Sequence, residues 1–132
     1  MIVDASVAFK WIFVEEDSAA AAAFVGRDDL FAPTLLLAEI GNALWKKGVR
    51  GELGDRQAYS TQLALVASLV VTIDETELMP RALDIALTLD HPIYDCIYLA
   101  LAEDRGDRLI SADRRFLAKV AQSSFASLVE AL

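Results

Sequence analysis

The sequence has almost none of the residues that cross-link a chain or build a zinc site. It contains one cysteine, Cys96, and one histidine, His91, among 132 residues. A single cysteine excludes an intrachain disulfide, and these two residues cannot form a Cys/His structural zinc site. No apolar run approaches the roughly 18 residues that a membrane span requires, and no basic leader opens the chain. We therefore expect one domain over residues 1–132, in a cytoplasmic protein without a membrane segment.

Several catalytic motifs are also missing. There is no GxxxxGK phosphate loop, no GxSxG nucleophile turn and no HExxH zinc motif. A single histidine excludes a mechanism that uses two histidines. The DxDxT phosphatase motif is absent because Ala5 and Ser6 follow Asp4. A water molecule activated by a metal ion is the nucleophile that these absences leave open.

Basic residues are few for a protein that binds nucleic acid. Twenty acidic side chains against twelve basic ones give a net charge of −8 with histidine neutral, and this charge repels phosphate at long range. Two small basic clusters, at residues 105–119 and 46–50, are exceptions to the acidic balance. Arg114 and Arg115 of the first and Lys46 of the second are candidate phosphate contacts, although a solvated helix face would have the same composition.

Strand-like and helix-like segments alternate along the whole chain. Short apolar or β-branched runs predict strands at residues 2–3, 30–32, 70–73, 108–111 and 124–126. Helical patterns occupy residues 4–11, 19–25, 35–47, 56–69, 75–89, 92–105 and 113–121. This alternation predicts an α/β fold, a three-layer sandwich with a short, mostly parallel central sheet. Ligands of such folds bind beyond the carboxyl ends of the strands.

Four carboxylates occupy places where an isolated charge is costly. Asp4 and Asp113 each follow a predicted strand, and Asp95 lies in the first turns of an apolar helix. Glu39 lies inside a helix that is apolar nearly all round and is therefore predicted to be buried. Two such charges about 5 Å apart repel by roughly 3 kcal/mol at an effective dielectric of about 20. Mg²⁺ or Mn²⁺ would remove that cost, which points to a metal-dependent phosphodiesterase.

Each of these carboxylates also has a purely structural interpretation. Asp4 and Asp113 could cap the helices that follow them, and Asp95 could gain from the helix dipole. Glu39 is the hardest to explain without a ligand, since it lies in mid-helix among leucines. Our hypothesis is that Asp4, Glu39 and Asp95 hold the principal ion. Asp113 would complete the site or hold a second ion.

Other polar side chains lie close to these carboxylates in the sequence. Ser6 and Ser111 stand near two strand ends, and Asn42 lies one helical turn beyond the glutamate, so all three could assist the site. Turn or cap roles are the simpler explanation for the two serines. We expect His91 to cap the helix that the following proline begins, and Cys96 to be a packed core thiol.

The four carboxylates lie in four motifs, at residues 3–7 (VDASV), 36–44 (LLAEIGNAL), 91–102 (HPIYDCIYLALA) and 109–116 (LISADRRF). In their order and spacing these motifs resemble the PIN domain, specifically the VapC-type toxins of bacterial and archaeal toxin–antitoxin modules. The resemblance implies a single PIN-like domain and an Mg²⁺- or Mn²⁺-dependent endoribonuclease. The catalytic and metal-binding residues it implies are Asp4, Glu39, Asp95 and Asp113, with Ser6, Asn42 and Ser111 assisting.

The resemblance also implies partners. Such toxins form homodimers, are blocked by a cognate antitoxin and cut structured RNA, often tRNA or rRNA. Arg114 and Arg115 stand where some relatives carry a further acidic residue, and with Lys46 they become candidate RNA contacts. The rival interpretation is a catalytically silent PIN-like binding module, from which metal-dependent cleavage of RNA would distinguish an enzyme.

Overall fold

Short strands alternate with helices in the computed structural model of the chain, which describes residues 1–52 and 54–132. The strands are β1 (Ile2–Val3), β2 (Phe31–Pro33), β3 (Val71–Ile73), β4 (Leu109–Ser111) and β5 (Val129–Ala131). The α-helices are α1 (Ala5–Ile12), α2 (Ser18–Ala22), α3 (Leu35–Val49), α4 (Arg56–Leu69), α5 (Met79–Leu89), α6 (Ile93–Arg105) and α7 (Arg114–Val120). Two short 3₁₀ helices cover Thr76–Leu78 and Ala126–Leu128.

The strands form one sheet in the order β3-β2-β1-β4-β5, and every neighbouring pair is parallel. From β1 the chain moves outward to β2 and β3, then crosses back to β4 on the other side of β1. Right-handed crossovers therefore place α1 to α4 on one face and α5 to α7 on the other. The predicted α/β sandwich is confirmed, with a sheet that is parallel throughout. The strand order reverses between β1 and β4, so a ligand site is expected there.

Helix α6 is the central element of the core. Every side chain from Cys96 to Ala102 is buried, and the helix contacts β1, β2 and β4. The Cys96 thiol is buried and free, as predicted. Because α6 leads into the parallel strand β4, its first turn lies at the carboxyl edge of the sheet. Helices α1 and α3 begin at that same edge, since each follows a strand directly.

The prediction that the helix containing Glu39 is buried nearly all round is wrong. In α3 the buried side chains are Leu36, Ile40 and Leu44, while Trp45 is 63% exposed. These three positions form one stripe at a spacing of four residues, and only that stripe is fully buried within the described part of the helix, while Leu35 packs against the core in part. None of the described helices has the length and apolarity to cross a membrane.

The predicted last strand at residues 124–126 is also wrong, since β5 is Val129–Ala131 and a 3₁₀ helix precedes it. The hydroxyl of Ser123 donates to the carbonyl of Val120 and accepts from the amide of Phe125, which lengthens the turn.

Two helix starts differ from the prediction because of prolines. The segment 75–89 is a 3₁₀ helix followed by α5, which has Pro80 in its first turn. Pro92 was expected at the first helical position, but it is the N-cap of α6 with an extended ψ of 141°. The helix therefore begins one residue later, at Ile93.

Candidate active site

Asp4 lies at the end of β1, beside the strand reversal. Its side chain is only 6% exposed. Its Oδ2 accepts hydrogen bonds from the hydroxyls of Ser6 (2.6 Å) and Ser111 (2.5 Å). Although Asp4 is the N-cap residue of α1, its side chain makes no capping hydrogen bond. Burial raises the pKa of Asp4, the two hydroxyls oppose that rise, and the charge of Asp95 adds to it.

The two serines join this aspartate to the chain segment after β4. Ser6 Oγ accepts from the amide of Ala112 at 2.9 Å, and Ser111 Oγ accepts from the amide of Asp113 at 3.0 Å. Their two oxygens are 3.4 Å apart. Each hydroxyl therefore donates a hydrogen bond to Asp4 and accepts one from a backbone amide. These bonds fix the aspartate side chain in one position.

Glu39 comes in the second turn of α3 and is half-buried. Its Oε2 accepts from the phenol hydroxyl of Tyr98 at 2.5 Å. Burial raises the pKa of Glu39 to about 7, the Tyr98 hydrogen bond opposes this, and the charges of Asp4 and Asp95 raise it further. With a pKa of about 7, the Glu39 carboxyl group is only partly ionised near neutral pH.

Asp95 lies in the first turn of α6, and its side chain is 27% exposed. Its Oδ2 is 2.6 Å from Nε2 of His91, whose ring packs against Phe116. His91 was predicted to cap the helix, and this is wrong because Pro92 takes the N-cap position. The imidazole, four residues before Asp95, turns instead to the carboxylate.

Asp4, Glu39 and Asp95 form one cluster of negative charge. The charges of Asp4 and Asp95 both raise the pKa of Glu39, and Asp95 raises that of Asp4. Within the described residues, no lysine or arginine forms a salt bridge with any of the three. Oε1 of Glu39 and Oδ1 of Asp95 have no hydrogen-bond partner among those residues.

These oxygens suit a hard divalent cation, which would relieve their repulsion. Across residues 1–52 and 54–132, no three His, Cys, Asp or Glu side chains stand close enough to coordinate one ion together. Mg²⁺ commonly takes one or two carboxylates directly and keeps several waters. Carboxylate oxygens would hold such a hydrated cation either directly or through those waters.

The side chains of Asp113 and Asn42 make no hydrogen bond to Asp4, Glu39 or Asp95 within the described residues. Oδ1 of Asp113 caps α7, accepting from the amides of Arg115 (2.8 Å) and Phe116 (3.0 Å). The charge of Asp113 is not among the causes that shift the pKa of Asp4 or Glu39. Asn42 is exposed and makes no hydrogen bond to Glu39 within the described residues.

The cations predicted to contact phosphate are exposed. Arg114 lies 3.7 Å from Glu16, and both side chains are 80% exposed. Arg115 and Lys46 are exposed on α7 and α3. Lys10 was not predicted, yet it lines a cleft of about 320 Å³ together with Ser6 and Glu39. Its Nζ donates to the carbonyl of Glu16 at 2.7 Å.

Sequence reasoning also missed His91 and Tyr98 as partners of the carboxylates. The signal was present, since His91 is four residues before Asp95 and Tyr98 three residues after it. Such spacings place side chains on one side of a helix. The aromatic character of Tyr98 suggested only packing.

Comparisons with known proteins show what the chain is similar to. Residues 1–122 match the family described as PIN domain. The chain is 30% identical over 122 residues to Ribonuclease VapC3 of Pyrobaculum aerophilum, covering 90% of this chain and 93% of that protein. It is 34% identical over 93 residues to Exonuclease VapC9 of the same organism, covering 70% of this chain and 68% of that one. The crystal structure of PAE2754 from Pyrobaculum aerophilum superposes with a TM-score of 0.75 at 27% identity, covering 98% of this chain and 87% of that one.

Proposed function

The chain belongs to the PIN-domain family of nucleases, and from that premise we propose that it is a metal-dependent endoribonuclease, the toxin of a toxin–antitoxin pair. Its proposed substrate is structured RNA, tRNA or rRNA, and its proposed place is the cytoplasm, where those RNAs are. The observation that carries the proposal is the cluster of Asp4, Glu39 and Asp95. Neutral hydroxyls hold two of these carboxylates, and no lysine or arginine within the described residues neutralises any of them.

The proposed cation is Mg²⁺ or Mn²⁺, held by Asp4, Glu39 and Asp95 either directly or through bound water. Asp113 would complete the site through water or hold a transient second ion. When bound, it would polarise a phosphodiester oxygen and lower the pKa of a water molecule. The chain's own part is to hold its ligands in place. Ser6 and Ser111 fix the Asp4 carboxylate, so it need not reorganise when RNA arrives.

In the proposed reaction a water oxygen forms a new bond to phosphorus, and one phosphorus–ribose oxygen bond breaks. The cleft beside Glu39 contains one basic side chain, Lys10. Its Nζ donates to the carbonyl of Glu16 and lies 3.5 Å from Oε2 of Glu15; in the proposal it would contact a neighbouring phosphate of the RNA instead. Arg114, Arg115 and Lys46 would bind phosphates farther along the strand.

Two exposed apolar surfaces support the proposal that the toxin forms a homodimer and binds an antitoxin. Trp45 and Val49 border a groove of about 790 Å³ between α3 and α4. Leu83 and Leu87 are exposed on α5. Apolar side chains grouped in this way commonly mark protein interfaces.

The test is cleavage of total RNA with Mg²⁺ by the wild type and by Asp4→Asn, which keeps the size of the side chain and removes its charge. We expect wild-type cleavage that chelation abolishes and a loss of at least about a hundredfold in the variant, because the ligands act as a unit. Lys119→Ala, in the last turn of α7, is the control and should cut normally.

Mapping the RNA ends separates internal cuts from stepwise removal of terminal nucleotides. Wild type that cuts nothing, with or without metal, would favour the catalytically silent binding module. Asp4→Asn cleaving as fast as the wild type would contradict the assignment of the site.

A further inference from the structure

Tyr98 carries a polar atom that packing alone does not require. Its side chain is fully buried in the middle of α6 and is the largest of the fully buried side chains. A phenylalanine would fill nearly the same volume. A buried hydroxyl is costly unless it has a partner, and within the described residues its partner is Glu39 of α3.

The hydrogen bond joins helices from opposite faces of the sheet. Helix α3 is in the crossover from β2 to β3, and α6 is in the crossover from β3 back to β4. The two crossovers run in opposite directions along the sheet, so their helices cover opposite faces. The bond spans 59 residues in sequence and lies at the carboxyl edge where Asp4 and Asp95 also lie. It therefore sets the position of Glu39 relative to a carboxylate of α6.

Stability does not explain the pair. Replacing both partners of a buried hydrogen bond by apolar groups of the same shape is often neutral or stabilising. Here a fully buried hydroxyl has as its partner a half-buried carboxyl group at the edge of the sheet where Asp4 and Asp95 also lie. A hydroxyl that bonds a carboxyl group at this edge is better explained by the task of the acidic cluster than by packing.

We propose that Tyr98 is a positioning residue, whose hydroxyl holds Oε2 of Glu39 so that Oε1 faces the cation. This inference rests on the proposed function and names a residue that acts through Glu39 without touching RNA or metal. The phenol hydroxyl donates this hydrogen bond and Oε2 of Glu39 accepts it. Partners that orient metal ligands in this way typically contribute 10- to 100-fold in affinity or activity.

The experiment titrates Mn²⁺ into the full chain by calorimetry, for the wild type and for Tyr98→Phe. We expect the variant to bind Mn²⁺ about tenfold more weakly than the wild type. It should still unfold cooperatively in chelator, with a melting temperature lowered by the unpaired acceptor on Glu39. Tyr94→Phe is the matched control, because it removes the same hydroxyl from the same helix at a site that is 59% exposed. Its Mn²⁺ affinity should equal that of the wild type.

A double-mutant cycle separates positioning from packing. If Tyr98 acts through Glu39, then Tyr98→Phe combined with Glu39→Gln should bind Mn²⁺ no more weakly than Glu39→Gln alone. Additive losses would contradict the inference, and so would unchanged affinity in Tyr98→Phe or failure of that variant to fold. If the wild type binds no Mn²⁺ at millimolar concentration, the proposed metal-dependent function is contradicted, and the inference about Tyr98 is contradicted with it.

Discussion

At the scale of single residues, Glu39 makes the stability of the metal-free protein depend on pH. Its pKa is raised from 4.5 to about 7, so between these values the folded chain holds a proton that the unfolded chain releases. Stability from this group therefore falls as pH rises from about 4.5 to about 7. After allowance for partial exposure, we expect a loss of about 1 to 2 kcal/mol.

Thermal unfolding in chelator checks this expectation against Glu39→Gln, which cannot ionise but still accepts a hydrogen bond from Tyr98. At pH 7.5 the variant should melt about 5 °C above the wild type, and at pH 4.5 the two should nearly coincide. Added Mg²⁺ should narrow the gap at pH 7.5 by stabilising the wild type. A gap of equal size at both pH values would contradict the raised pKa.

Asp4 and Asp113 illustrate what residue-level reasoning can and cannot decide. Both follow a strand and precede a helix, and the sequence allowed either to be a helix cap. Asp113 caps its helix, whereas the Asp4 side chain bonds two hydroxyls instead. The difference depends on Ser111, which follows Asp4 by 107 positions. A contact between such distant positions cannot be derived from local spacing.

At the scale of elements, the Asp113 carboxylate stabilises the start of α7. It accepts two backbone amide hydrogen bonds there. We expect Asp113→Ala to lower the free energy of unfolding by about 1 kcal/mol, whereas Asp113→Asn should keep the cap and nearly all of the stability. Denaturant unfolding of both variants measures this.

Comparing the same two variants in RNA cleavage separates the cap from the proposed role in the site. If the charge of Asp113 serves the cation, Asp113→Asn should lose cleavage while it stays folded. If both variants lose equal stability, the cap assignment is wrong. If Asp113→Asn cuts like the wild type, Asp113 is a structural residue only.

Most elements were predictable because their signals are local. The helix Arg56–Leu69 has the predicted bounds and is followed by a β-branched strand, and the Asp55 carboxylate caps it by accepting from the amide of Ala58. The last strand was missed because a serine turn and a 3₁₀ helix precede it, and neither has a strong periodic signal. The exposure of Trp45 was missed because apolar composition does not reveal which faces of a helix are covered.

At the scale of the whole molecule, the net charge of −8 opposes RNA binding. Affinity must therefore come from a few local contacts, and two of the proposed ones, Arg114 and Arg115, lie at the start of α7 near the carboxyl edge of the sheet. Arg27 offers a matched control, because it precedes β2 and so lies at the opposite, amino edge, where it pairs with Asp29. The contribution of each region to RNA binding can be measured from how steeply the affinity falls with salt concentration.

Each phosphate contact to single-stranded RNA contributes about 0.7 to the slope of log affinity against log salt. In an Asp4→Asn background, which prevents cleavage, we expect Arg114→Ala with Arg115→Ala to reduce that slope by about 1.4 and weaken binding at low salt. Arg27→Ala should leave the slope unchanged. Fluorescence anisotropy with a labelled single-stranded RNA from about 50 to about 300 mM salt gives both slopes. Equal slopes for the double variant and its parent would place the RNA elsewhere on the surface, because a lost phosphate contact must release fewer counterions.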